Sequence, residues 1–185
     1  MPNWIDNNIT IYGDEQKLNE IIDFVKSKEK EFDFDKIVPM PEHSETFYRD
    51  GNLGQEEMEK YGKNNWYDWS VENWGTKWNS CDSTLSGKDK GEIRYFFQTA
   101  WAPALAVLKA LAEKFQVKVQ CVYMDEFIGC NCGKSVYDES GDVVEEEYYS
   151  EDGFDFLARE YGEEFLIDCG YVREDGKWKS ELWDE

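Results

Sequence analysis

A single histidine, His43, and only 20 Lys plus Arg stand against 41 Asp plus Glu in this chain, for a formal net charge of -21. Such an excess of acid repels nucleic-acid phosphate and anionic lipid, so neither direct nucleic-acid binding nor membrane binding is expected. Basic partners are favoured instead, by long-range steering that salt weakens. No apolar run reaches membrane-spanning length, and Met1-Pro2-Asn3-Trp4-Ile5-Asp6 lacks the basic start and apolar stretch of a secretory signal. A cytoplasmic location is the expectation. The cysteines at 81, 121, 130, 132 and 169 are odd in number, several of them in apolar surroundings, and are read as reduced thiols rather than a disulfide framework.

Recognisable chemistry is equally scarce. Cys130-Asn131-Cys132 is the only close cysteine pair, and one C-x-C with one histidine falls short of the paired knuckles of a zinc site. Neither a metal nor a cofactor is expected. The pair would share one face of a strand, without the helix N-terminus that lowers a thiol pKa in C-x-x-C enzymes. His43 has Glu42, Ser44, Glu45 and Asp50 near it in sequence, yet no G-x-S-x-G elbow presents the serine. Gly51-Asn52-Leu53-Gly54 lacks the lysine and the strand-to-helix setting of a phosphate loop. No enzyme is indicated.

What the chain has in quantity is core material. Hydrophobic residues make up 41% and aromatics 16% of its 185 residues, enough for one folded domain despite the charge. Ile9-Thr10-Ile11-Tyr12 alternates as a strand does, and Asp14 caps a helix with Leu18, Ile21, Ile22 and Val25 on one face. Ile93 to Gln98 is a second strand, Pro103 opens a helix bearing Leu105, Leu108, Leu111, Ala112 and Phe115, and Val117 to Tyr123 is a third strand. With a further strand at 80–86 and a turn at Gly87-Lys88-Asp89-Lys90-Gly91, the order is βαββαβ. That is the α+β, ferredoxin-like arrangement: an antiparallel sheet with helices on one face.

Residues 32–79 then form an insertion, in which Phe32, Phe34 and Ile37 alternate towards Pro39-Met40-Pro41, where the two prolines either side of Met40 force an extended path. Residues 1–138 are the ferredoxin-like domain with this insertion. Residues 139–185 are an acidic extension packed on the same domain, with a hairpin turning at Glu139-Ser140-Gly141-Asp142, a helix capped by Asp152, and a small terminal hairpin at an Asp-Gly turn.

Four of the eight tryptophans fall between Asn65 and Asn79. A helix over about 65–74, ended by Gly75 in the left-handed conformation, puts Trp66, Trp69 and Asn73 along one face with Ser70 and Trp74 beside it. Indole burial would pin the insertion to the sheet. The run Tyr67-Asp68-Trp69, then Glu72-Asn73-Trp74-Gly75-Thr76-Lys77-Trp78-Asn79, and later Phe97-Gln98-Thr99-Ala100-Trp101-Ala102-Pro103, resembles the YubB-like ferredoxin-like family of phage, plasmid and mobile-element proteins. The likeness covers roughly residues 1–135. It implies the same fold and carries over no catalytic residue.

Charge is unevenly spread. Residues 125–185 hold 20 acids and 5 bases, a net of -15, against 21 acids and 15 bases, a net of -6, over residues 1–124. Within the extension, Asp142, Glu145, Glu146, Glu147, Tyr148, Tyr149, Glu151 and Asp152 read either as a charged guard on a strand edge or as a surface that imitates a phosphate backbone, with the tyrosines as anchors. Together with the resemblance, this leads to the expectation of a non-enzymatic accessory protein that binds and inhibits a basic, nucleic-acid-binding host defence protein. The alternative is a small-ligand or nucleotide module whose pocket is walled by Trp74, Trp78 and Trp101.

Overall fold

The computed structural model describes residues 2–40 and 66–180. His43 with Glu42, Ser44, Glu45 and Asp50, and the glycines of Gly51-Asn52-Leu53-Gly54, lie outside the described residues. In strand β1 (Trp4–Tyr12) every second side chain turns inward, burying Ile5, Asn7, Ile9 and Ile11. Helix α1 (Glu15–Val25) starts at Asp14, whose Oδ1 accepts from the Lys17 N–H at 2.9 Å, and it buries Leu18, Ile21 and Val25. After the short helix α2 (Phe34–Ile37) and helix α3 (Trp66–Trp74) come β2 (Cys81–Asp89), β3 (Glu92–Ala100), helix α4 (Leu105–Phe115) and β4 (Lys118–Asp125). These strands lie in the order β2-β3-β1-β4, all antiparallel. This is the ferredoxin-like sheet, with α1 and α4 packed on one face.

Two details of this unit depart from the sequence reading. The β2–β3 turn is tighter than Gly87 to Gly91: only Lys90 and Gly91 separate the strands, and Gly91 supplies the positive φ, 89°, that so short a connection requires. The segment of Phe32, Phe34 and Ile37 is not extended throughout. Asp33 accepts from the Asp35 N–H at 3.0 Å and Asn79 Oδ1 from the Phe34 N–H at 2.9 Å, which nucleates α2. Phe32 and Phe34 both enter the core, their rings 5.1 and 5.3 Å from that of Phe97.

Beyond β4 the sheet continues through β5 (Cys132–Tyr137) and β6 (Val143–Tyr149), giving six strands in the order β2-β3-β1-β4-β5-β6. The hairpin anticipated between 134 and 149 thus lengthens the main sheet. Strand β4 has apolar side chains on both faces. Val119, Cys121 and Tyr123 join the core under α1 and α4, while Val122 turns to the other side. There it meets Cys132 and the residues Phe156, Leu157 and Leu166 of two further helices, α5 (Phe154–Tyr161) and α6 (Glu163–Asp168). The Tyr161 hydroxyl reaches across to accept from Asn8 Nδ2 at 2.9 Å. A separate hairpin, β7 (Tyr171–Glu174) with β8 (Lys177–Ser180), packs Tyr171 and Trp178 at the margin of this cluster. The β1–β3 half of the same face carries half-exposed side chains, among them Trp4, Asp6, Phe96 and Gln98.

Asp152, expected as the cap of α5, lies one residue early with φ 60°, and Gly153 is the N-cap. A capping residue has an extended backbone, which the left-handed Asp152 lacks, and Gly153 is tightly enclosed: a Cβ there would collide with Cys132 Sγ and come within 3.2 Å of the Gly129 carbonyl. Gly153→Ala is therefore expected to cost about 1–3 kcal/mol by overpacking, and Phe156→Ala about 3–5 kcal/mol as a large-to-small core change. Urea denaturation checks both; wild-type midpoints would refute the second packed face.

Candidate partner-binding surfaces

The two sequence runs that carry the family resemblance meet at one end of the sheet. Helix α3 stops at Gly75, at φ 82°, where a Cβ would stand 3.3 Å from the Pro103 carbonyl. Thr76 Oγ1 then donates to the Ala100 carbonyl at 2.9 Å. Thr99 Oγ1 donates to the Ala102 carbonyl at 2.7 Å and accepts from buried Asn7 Nδ2 at 2.9 Å. These bonds satisfy backbone and hydroxyl groups shut off from water, and they fix where β3 ends.

Immediately beyond, Trp101 has φ 68°, a left-handed conformation that bulky residues seldom adopt. Its N–H donates to the Asn3 carbonyl at 2.9 Å, and its own carbonyl accepts from Asn131 Nδ2 at 3.4 Å. The indole is left 45% exposed. Lys77 Nζ lies 4.9 Å from the Trp101 ring centre, 4.5 Å from that of Trp78 and 5.8 Å from that of Tyr67, within cation–π range of all three. Trp78 is backed by Trp4 at 6.0 Å.

Of the three tryptophans proposed as pocket walls, only Trp78 and Trp101 come together. Trp74 is in the core, 5% exposed, with Phe34 and Trp69 at 5.9 and 5.5 Å and its Nε1 donating to the Val38 carbonyl at 2.9 Å. The cleft it touches, about 310 Å³, is lined by polar groups such as Glu29, Lys30 and Asp35 and includes neither other indole. Helix periodicity places Trp74 beside the face of Trp66 and Trp69, and in the fold Trp69, Ser70 and Trp74 are the α3 residues that are buried. The placement of Lys77 over the rings had no sequence signal beyond its position in the Trp-Gly-Thr-Lys-Trp run.

The acidic strand sorts into two sets. Among the described residues strand β6 is the outer edge of the sheet and pairs only with β5. Glu145 is bound by Lys134 at 2.8 Å. Glu147 takes a hydrogen bond from Arg159 Nη2 at 2.7 Å and another from the Tyr149 hydroxyl at 3.0 Å, while the Tyr149 ring stacks on Phe156 at 5.2 Å. These three residues tie α5 and β5 to the strand. Asp142, Glu146, Glu151 and Asp152 are exposed and make no ion pair among the described residues, and Tyr148 is 59% exposed. Glu146 and Tyr148, two residues apart, share the opposite side of the strand from Glu145 and Glu147.

No strand face is shared by Cys130 and Cys132: Asn131 breaks the path at φ 40° and β5 begins only at Cys132. Burial first of all pushes up the thiol of each of the five cysteines, that of Cys132 to about 11, which disfavours the thiolate needed for metal binding or redox chemistry at neutral pH. Among the described residues no helix is long and apolar enough to cross a membrane.

A family model described as the ferredoxin-like domain in Api92-like protein matches residues 73–171, more than half of the chain. The chain belongs to this Api92-like family. The crystal structure of the protein Api92 from Yersinia pseudotuberculosis is similar, with a TM-score of 0.54 and 10% identity, covering 80% of this chain and 98% of that one. At that identity the likeness is one of fold. No curated protein matches the sequence. The Api92-like match runs from within α3 to the start of β7, through β5, β6, α5 and α6. The acidic strand therefore lies inside the family domain, beyond residue 135 where the likeness read from the sequence stops.

The Arg159 hydrogen bond, ahead of the one from Tyr149, holds the Glu147 carboxyl below its ordinary range. A depressed folded pKa means the interaction stabilises above the unfolded carboxylate value and is lost as pH falls through the folded one. Arg159→Gln should move the Glu147 titration, followed by carboxyl NMR, up towards the ordinary range and remove the Arg159 share of acid destabilisation. An unchanged titration would refute the pairing.

Proposed function

We propose that this Api92-like chain is a non-enzymatic accessory protein that binds a basic, nucleic-acid-binding protein of the host and blocks its groove. The observation that carries this reading is the edge strand β6, with Glu146 and Tyr148 projecting together and Glu151 and Asp152 following at its end, all exposed. Side chains on one face of an extended strand recur about every 6.8 Å, roughly twice the axial repeat of charge along one DNA strand. Glu146 and Tyr148 share such a face, and Glu151 and Asp152 continue the negative charge past the end of the strand, where a groove lined with Lys and Arg would meet it. Pairing of Glu145 and Glu147 with Lys134 and Arg159 supports the reading in a second way, because it stiffens the strand and lowers the entropy lost on docking.

The sequence likeness to the YubB-like proteins of phages, plasmids and mobile elements supports a defence nuclease as the target class. The same chemistry disfavours an enzyme: no described cysteine is activated, and the described acids near the edge either pair with a cation or stand in solvent.

Binding of the full chain to purified basic host nucleases across a salt series tests the proposal. Association should weaken steeply with salt, and Glu146→Lys with Glu151→Lys and Asp152→Lys should slow the association rate by about tenfold or more, with a smaller effect on dissociation. Absence of association at low salt, or a triple variant that binds as the wild type does, would sink it.

A further inference from the structure

We infer that the corner formed by Trp78, Trp101 and Tyr67 receives a side-chain cation, Lys or Arg, from a protein partner, and that Lys77 is the resident cation such a group displaces. The inference shares with the proposed function only the basic character of the partner and uses a different surface. Three ring faces converge on one ammonium, at 4.5, 4.9 and 5.8 Å, and ring faces are negative, so the enclosure selects positive charge. Lys77 makes no ion pair among the described residues, although the chain has 41 acids. Among the described residues its ammonium is held by the rings, on a flexible stem that can withdraw into solvent.

The enclosure also has an open wall. Trp101 keeps its indole 45% exposed at the expense of a φ of 68°. Backbone strain of this kind persists only where the surroundings over-determine it, here through Asn3 on one side and Asn131 on the other. Asn131 is itself positioned by Asp125, which is 5% exposed and accepts from its Nδ2 at 3.3 Å. The same Asp125 accepts from the Phe127 N–H at 3.0 Å and so presents the Phe127 ring, 63% exposed, on the adjoining turn. With exposed Glu126 between them, this turn offers apolar area and negative charge to the chain that would carry the incoming cation. A net charge of -21 adds general attraction for such a chain.

The test is a titration of the full chain with acetyl-arginine amide, using the uncharged acetyl-citrulline amide as control, followed by indole N–H NMR shifts and tryptophan fluorescence. The arginine compound should shift Trp78 and Trp101 saturably while the citrulline compound does not. Lys77→Met keeps an apolar stem without the competing charge, and should raise the apparent affinity about three- to tenfold. Trp101→Leu, at a solvent-facing position, should abolish the response at an unchanged denaturation midpoint. An equal response to citrulline, a Lys77→Met affinity no higher than wild type, or a response that survives Trp101→Leu would each overturn the inference. These probes do not involve β6, so failure here leaves the acidic-edge reading standing, and failure of nuclease binding leaves this one standing.

Discussion

Strand β4 is buried from both sides, and the arrangement of the other layers depends on it. Cys121, Val122 and Tyr123 are consecutive and all buried, which a strand achieves only when each face has a cover, since neighbouring side chains point opposite ways. One face takes the helices α1 and α4 of the ferredoxin-like unit. The other takes α5 and α6. Once Val122 needs a partner, the chain after β4 must return across the sheet, and β5 and β6 are the strands that carry it there. Residues after 138 are on this account part of the packing of the fold, consistent with the extent of the Api92-like match.

Edge and corner follow from the same geometry. Extending the sheet leaves β6 as its last strand, where charged side chains discourage pairing with stray strands. Internal cations neutralise Glu145 and Glu147 and anchor the edge, whereas Glu146 has no ion-pair partner among the described residues. At the end of β3, the chain must leave the sheet under α3, and the hydrogen bonds of Thr76 and Thr99 with Ala100 and Ala102 dictate the exit. Trp101 is turned outward by that exit. An acidic edge and an aromatic corner thus both face solvent, and both are suited to positive charge.

Much of the architecture was legible from the residues. Alternation in β1 and β3, the Leu105 to Phe115 face and the Asp14 cap are local patterns, and each appeared where the pattern placed it. The helix ended by Gly75 did too, because a glycine with φ above zero is the cheapest way out of a last turn. Less was legible where a side chain answers to a distant neighbour. Phe34 reads as part of an extended run until Asn79, 45 residues on, accepts from its N–H. Asp152 reads as a cap until Gly153, whose N–H donates to the Gly129 carbonyl, takes the cap position and leaves Asp152 left-handed. Trp74, Trp78 and Trp101 read as one set, and only the fold separates the first from the others.

By itself the sequence determined the class of the protein: an acidic, aromatic-rich, ferredoxin-like domain with half of its tryptophans in the insertion and its negative charge concentrated towards the end. Periodicity and capping act over a few residues, and composition needs no structure at all, so these properties survive in one dimension. Tertiary structure decided which of the acids are free and which rings surround a cation. The pairing of Glu147 with Arg159 and the position of Lys77 between Trp78 and Trp101 arise from chain segments brought together by packing, and a linear pattern does not encode distances of a few ångströms between them.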